Sequence, residues 1–554
     1  GSIARHQSST AVPKRHGRLT FQFNIEPIDG RRFRHRSGYH QRRPTVSPPG
    51  KHIFKAKSAL TVFVIGLLTT SGCALQNSSP DPSGTETTSH TELNVLADVS
   101  SRHGVLGARI GYQVVDLDSG DILTERAPND LFIPASTVKL PTAVRALSVL
   151  GADYRFTTSV FASGKVKDGV LNGDLWLKGG GDPLLTIHDL IALAQQLQDR
   201  GLTKITGRFA YDQSALADHT EINPDQPEAA AYNPGLSALS MDFNRVTAHW
   251  RRRGDGTFNT YLSPADGMPP IGRATNDPGP GQAFIQTKDG PADQWLMAPG
   301  RLPTESGAEN LPVKNPAKRT ASVFRTLALR LGLSLPAPVA APLSDIARPV
   351  AAVHSAPLIE ILRPALFFSN NMVSELIGLQ TTRRQLGRTV GLAESATHQL
   401  TWLRSQVSGP DWSRAHLPNH SGLSASARLA PAHLVGVIRH AWRRRYGGWP
   451  LIALLPAGGW QNSLAGRFTD PRTTGAVWAK SGTMHYAKGL AGILFTRSGR
   501  RAAFALLTTD YKRRQRFDSD PSRLSPRHQH HAKSWSTRAG QFEEEMIQAW
   551  INTL

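Results

Sequence analysis

Strand-like segments stand at opposite ends of this 554-residue chain with helical sequence between them, a pattern that suggests one sheet assembled from distant pieces. Near the start, Gly111–Leu117 alternates apolar and polar residues, Asp118-Ser119-Gly120 supplies a turn, and Ile122-Leu123 begins a return strand. Near the end, Gly475–Ala479 reads as a short strand running into Lys480-Ser481-Gly482. Leu490–Thr496 and Ala502–Thr509 read as a hairpin across Arg497-Ser498-Gly499-Arg500. A closing helix is expected over Gln541–Thr553, with Glu543, Glu544 and Glu545 in its first turn, the favourable end of its dipole. Helical sequence lies between these ends. The expectation is therefore an α/β (α+β) fold in which one sheet is assembled from distant pieces and flanked by helices.

The chain is too long for one ordinary domain, since length alone favours roughly three or four. Residues 151–343 are rich in Gly, Pro and Asp, with short alternating strands such as Leu171–Leu177 and Thr206–Tyr211. They read as a mostly β insertion of two small lobes, dividing a domain made of residues 93–150 and 344–554.

Upstream, Lys51, Lys55 and Lys57 precede the apolar run Ala59–Leu68, and Thr69-Thr70-Ser71-Gly72 leads to Cys73, the only cysteine. A basic start, a short apolar core and small residues make an export signal over 51–75, and the run is shorter than the ~20 residues of a membrane span. Ser-Gly-Cys resembles a bacterial lipobox, which makes Cys73 a lipidation candidate and the membrane a partner; cleavage after Ala74 is the competing reading. Residues 76–92 read as a flexible Ser/Thr/Pro/Gly tether. Residues 1–50 read as a basic extension or a start assigned too far upstream.

Lys and Arg number 64 against 42 Asp and Glu, a formal charge of +22. The excess is concentrated in the first fifty residues and in Lys512–Lys533, and neither stretch carries a nucleic-acid-binding motif. No nucleic acid is expected as a partner. Anionic wall polymer or phospholipid suits such charge better. The run Arg527-His528-Gln529-His530-His531 offers imidazoles to a metal, but in a basic stretch without nearby acids it reads as an exposed loop. No metal and no cofactor are expected.

Three short motifs carry the chemistry. Ser136-Thr137-Val138-Lys139 is an S-x-x-K at the start of a helix, Ser369-Asn370-Asn371 an S-x-N interrupting helical sequence, and Lys480-Ser481-Gly482-Thr483 a K-S-G-T on a strand. Each tripeptide is weak alone; their order and settings are not. A serine hydroxyl needs a base to become a nucleophile, and one helical turn puts Lys139 beside Ser136. Lys139 serves only if neutral, which burial near the positive Lys480 promotes. The backbone N–H groups of Ser136 and Thr483 would form an oxyanion hole. Ser369 would relay a proton among Lys139, Lys480 and the leaving amine, and Asn371 would hold the substrate amide. Lys480 and the Ser481 and Thr483 hydroxyls of the Ser481-Gly482-Thr483 segment would receive a terminal carboxylate.

These motifs resemble those of D-alanyl-D-alanine carboxypeptidases/endopeptidases of the penicillin-binding protein 4 type. So do Leu171-Asn172-Gly173-Asp174-Leu175, Gly180-Gly181-Asp182-Pro183, Tyr232-Asn233-Pro234, Ser421-Gly422-Leu423-Ser424 and Leu455-Pro456-Ala457-Gly458-Gly459. The resemblance spans Leu93 to Thr509 and implies a transpeptidase/β-lactamase-like domain with an antiparallel sheet. It implies peptidoglycan pentapeptide stems as substrate, β-lactams as inhibitors that acylate Ser136, and an exported, periplasmic location. Cross-links are a further candidate substrate. Departures bear on that point: Asn419-His420 stands where Asp-Gly is common, and Ala425 where many members carry an Arg, with Arg428 three residues on as a substitute. Asp182 is a candidate for the substrate's side-chain ammonium, or a turn aspartate before Pro183. A β-lactamase or esterase, and an inactive wall-binding lipoprotein, are the alternatives.

Palmitate labelling of the exported chain is expected for the wild type and absent from Cys73→Ala. Labelling that survives the substitution contradicts the anchor, and its absence from both proteins points to cleavage after Ala74.

Overall fold

The computed structural model describes residues 90–264, 268–274, 282–287 and 293–554. The basic segment, the export signal with Cys73, and residues 76–89 of the tether lie outside the described residues.

The two ends do meet. A five-stranded antiparallel sheet runs in the order Val477–Met484, Ala487–Phe495, Arg501–Thr509, Arg109–Asp116, Ile122–Arg126. The seam between the ends is an eight-residue ladder from Arg109 opposite Thr509 to Asp116 opposite Ala502. Alternation across the pleat explains why the central strand is apolar from Ala502 to Leu507, since both of its faces are buried. Ala503, Ala505 and Leu507 face one core with Val138, Val144, Leu434 and Ile438, from the helices Lys139–Val149 and Pro431–Trp442 and the turn before the first. Ala502, Phe504 and Leu506 face the other, built with Leu96 and Val99 of the helix His90–Arg102 and Trp535, Phe542 and Trp550 of the helix Pro526–Thr553. Fully burying one side chain such as Phe504 contributes roughly 1.5–3 kcal/mol, so both helical layers are needed to hold the sheet.

The closing helix differs from expectation. It begins at Pro526, so Glu543–Glu545 sit mid-helix and not at its positive end. Each acid is used in tertiary contacts: Glu543 faces Arg467 at 3.1 Å, Glu544 accepts from the Phe468 N–H at 2.7 Å, and Glu545 meets Arg102 at 2.6 Å and His103 at 2.7 Å. His528, His530 and His531 lie in the first turns of this helix and not in a loop.

Among the described residues, the inserted region has a small apolar core around Trp176, Ala210 and Ala347 and two larger ones. One belongs to a mixed five-stranded sheet, ordered Val339–Ala340, Phe209–Asp212, Leu175–Lys178, Thr157–Ala162, Arg348–His354, against which the helices Ile187–Asp199 and Pro316–Arg330 pack. The other fills the space behind Arg245–Arg252 with Trp250, Phe284 and Trp295. The expected strand Leu171–Leu177 is two, Val170–Asn172 and Leu175–Lys178, separated at Gly173-Asp174. Arg348–His354 pairs with Thr157–Ala162, so the chain leaves the inserted sheet after His354 and not at residue 343.

Candidate active site

Ser136 lies in a 3-10 turn, Ala135–Val138, that leads into the helix Lys139–Val149. Ala135 immediately before it has φ 47°, a left-handed conformation that a non-glycine residue adopts only under constraint. Two glycines allow the constraint. A Cβ on Gly422 would stand 1.9 Å from the Ala135 carbonyl oxygen, and one on Gly482 2.7 Å from that of Pro134. The loop 421–424 and the strand Val477–Met484 therefore press backbone to backbone against the nucleophile turn.

Lys139 is buried, and its Nζ lies 2.9 Å from Ser136 Oγ, 2.8 Å from Asn371 Oδ1 and 2.8 Å from the Ser421 carbonyl oxygen. Burial drives its pKa well below the ordinary lysine value, and Lys480 pushes it the same way; Glu375 opposes them. The geometry then assigns the hydrogens. A neutral amine has two N–H bonds and one lone pair, and the two carbonyl-type oxygens can only accept. Both N–H bonds go to Asn371 and Ser421, which leaves the lone pair for the Ser136 hydroxyl proton. In its neutral form the amine therefore meets the geometry that a general base requires.

Asn371 opens the helix Asn371–Leu386, capped by the Asn370 side chain accepting from Val373 N–H at 3.1 Å. Its amide orientation is fixed from the other side, since Nδ2 donates to the Tyr232 carbonyl at 2.9 Å. Ser369 sits in the break before that helix with φ 56°, half-buried. Its hydroxyl makes none of the hydrogen bonds that join Ser136, Lys139 and Asn371. Lys480 is fully buried on its strand, donates to the Ser481 carbonyl at 2.6 Å, and has its pKa lowered to about 7 by burial and by Lys488. Ser481 Oγ donates to Ser463 Oγ at 3.1 Å.

Two side chains join the site that sequence reading passed over. Glu375 lies one helical turn after Asn371 and is fully buried. Its two oxygens accept from the N–H groups of His420 and Ser421, each at 2.8 Å, so it fixes the loop whose carbonyl holds Lys139. The four-residue spacing from Asn371 was the available signal. Lys488 pairs in register with Thr483 across the hairpin, and its Nζ donates to Thr483 Oγ1 at 2.9 Å. It brings a second lysine to the Thr483 end of the strand. Nothing in its local sequence marks it.

Other candidates fall elsewhere. Asp182 is buried and accepts from the Leu184 N–H at 2.9 Å, the geometry of a turn aspartate. Burial raises its pKa to about 7, and no hydrogen bond links it to the Ser136–Lys139 group. Ser421 and Ser424 belong to a turn closed by Asn419, whose Oδ1 accepts from Gly422 N–H at 2.9 Å. His420 points away into the core, between Ser395 and Gln399 at 2.8 Å each, its pKa driven well down by burial. Arg428 donates to the carbonyls of Ala425 and Ala427 at 2.7 and 2.8 Å and lies over the Tyr511 ring.

An antiparallel sheet flanked by helices, with a turn-borne serine 2.9 Å from a buried lysine, is the arrangement of the penicillin-binding, transpeptidase-like fold. Residues 94–520 match the model of the D-Ala-D-Ala carboxypeptidase 3 (S13) family, and the chain belongs to that family. It is 28% identical over 472 residues to a D-alanyl-D-alanine carboxypeptidase of Actinomadura, covering 79% of this chain and 84% of that one. A carboxypeptidase of Mycolicibacterium smegmatis is 30% identical over 405 residues, covering 72% and 76%. The crystal structure of penicillin binding protein 4 from Haemophilus influenzae superposes with a TM-score of 0.70 at 20% identity, over 82% of this chain and 99% of that one, and so shares the fold.

Glu375→Gln removes the negative charge that opposes the lowering of Lys139. The acid limb of the β-lactam acylation rate is expected to move to lower pH. The maximal rate is expected to fall about ten- to hundredfold, the scale of losing a hydrogen bond to a charged group. An unmoved acid limb would show that Glu375 is only a packing residue.

Proposed function

We propose that Ser136 and Lys139 carry out the D-Ala–D-Ala carboxypeptidase reaction on the pentapeptide stems of peptidoglycan. The observation that carries this reading is the three-way hold on Lys139 Nζ at 2.8–2.9 Å. Ser136 Oγ attacks the carbonyl carbon of the penultimate D-Ala while its proton passes to Lys139 Nζ. The N–H groups of Ser136 and Thr483 take the developing oxyanion, where losing one donor typically costs ~2.7–4 kcal/mol. The C–N bond then breaks, and the proton reaches the departing D-Ala amine from Lys139 by way of Ser369 and Lys480. Water releases the acyl group by the reverse proton path.

Lys480, Lys488, Ser481 and Thr483 receive the terminal carboxylate, which makes the enzyme a carboxypeptidase. β-Lactams present the same carboxylate and acylate Ser136, but their leaving amine stays tethered. Cross-link cleavage is the weaker activity in this reading. Ala425 offers no charge, and the Arg428 guanidinium is already engaged with loop carbonyls. The β-lactamase alternative needs a carboxylate free to activate water, and Glu375 is turned to two backbone N–H groups. The export signal supports an exported, periplasmic enzyme, attached to a membrane through Cys73.

The test is release of D-Ala from a muropeptide pentapeptide as a function of pH. Lys139 must be neutral, so kcat/KM is lost as pH falls through its lowered pKa. Lys480 must be protonated to hold the carboxylate, so kcat/KM is lost as pH rises through about 7 in the free enzyme. Activity that holds up to the ordinary lysine range near ~10.4 contradicts these roles.

A further inference from the structure

A second cavity lies at the far end of the catalytic strand. It measures about 510 Å³ and sits between the helices Tyr511–Ser519 and Pro526–Thr553. Arg513, Arg516, Arg538, His530 and His531 line it, with Tyr486. Tyr486 packs against Phe517 and Trp535 with ring centroids 5.8 and 5.7 Å away, which fixes the floor. It has φ 58° at the corner between the strands Val477–Met484 and Ala487–Phe495. The cavity thus adjoins the turn that follows Thr483, outside the groups assigned to the reaction.

The charge around it is unbalanced. Asp520 is the lone lining carboxylate, and it is occupied: Oδ2 lies 3.1 Å from His528 Nε2, and Oδ1 accepts from the Ser522 N–H and hydroxyl at 2.7 Å each. Asp510 approaches Arg513 at 3.5 Å, and Asp518 is taken by Arg514 at 2.6 Å. Arg516 and Arg538 have no carboxylate partner among the described residues; Arg538 donates to Ser534 Oγ at 2.8 Å. Guanidinium groups gathered on one cavity repel one another unless an anion sits among them. Three forks offer more donors than the two oxygens of a carboxylate can accept, whereas a phosphate presents three or more oxygens and a larger charge. The volume falls within the ~300–1,000 Å³ of small-molecule sites.

We propose that this cavity binds a phosphate group, free or as the headgroup of an anionic lipid. The full chain and its Arg516→Gln/Arg538→Gln variant are titrated calorimetrically with inorganic phosphate, against acetate at matched ionic strength. Both are also floated with vesicles of phosphatidylglycerol in phosphatidylcholine, and with phosphatidylcholine alone. Penicillin acylation of Ser136, expected unchanged in the variant, reports that it is folded. Saturable binding of inorganic phosphate, weakened roughly tenfold or more in the variant, supports a soluble ligand. Phosphatidylglycerol-dependent flotation lost in the variant supports a lipid headgroup. Equal binding of acetate, no binding of either probe, or binding that the variant leaves intact overturns the proposal.

Discussion

Burying a lysine is expensive, and the catalytic domain is arranged around making that burial tolerable. A charged ammonium at Lys139 would lose its hydration, so burial drives its pKa well below the ordinary lysine value. A neutral amine still needs partners for two N–H bonds. They come from segments remote in sequence: the side chain of Asn371 and the backbone of Ser421. Each acceptor is itself fixed. The Tyr232 carbonyl, contributed by the inserted region, orients the Asn371 amide, and Glu375 holds the 420–421 backbone. Orientation of the lone pair toward Ser136 follows from this scaffolding and not from any one residue.

The same dependence explains the sheet. Ser136 and Lys480 come from opposite ends of the chain, and the ladder from Arg109 to Asp116 against Arg501 to Thr509 brings those ends together. Gly482 lets the catalytic strand lie against the nucleophile turn, and Gly422 lets the third segment close over it. The helix Pro526–Thr553 covers the outer face, and its buried Glu543 faces Arg467 close to Lys488, the cation that bonds Thr483. The second layer thereby reaches the Thr483 end of the catalytic strand.

Much of this was legible in the sequence, for physical reasons. Period-two alternation marked the first strand, Gly111–Leu117, and each motif sat on the kind of element its chemistry needs. The C-terminal hairpin was readable from its apolar runs, Leu490–Phe495 and Ala502–Leu507, on either side of the polar turn at 497–500. The long last helix was not. Its first half is polar and histidine-rich, with little apolar periodicity, and it is helical because Ala532, Trp535 and Ala539 pack inward. Glu543 was misread for the same reason: an acid in a helix looks like a dipole partner until its tertiary ion pair is known. Glu375 was within reach, at helical spacing from Asn371, whereas Lys488 became visible only through strand register. Asp182 carried two readings, and the hydrogen bond from Leu184 supplies the turn one. The two helices of the inserted region were hidden by its Gly and Pro content, which speaks for the loops and not for the elements between them.

The claim on which the account rests is that Ser136 is the nucleophile and that Lys139 activates it. Intact-mass measurement after incubation with penicillin tests it most directly, on the wild type, Ser136→Ala and Lys139→Met. The account predicts one stable adduct of a single penicillin on the wild type, none on Ser136→Ala, and greatly slowed adduct formation on Lys139→Met. An adduct that persists in Ser136→Ala, or rapid drug hydrolysis by the wild type without an adduct, would contradict it.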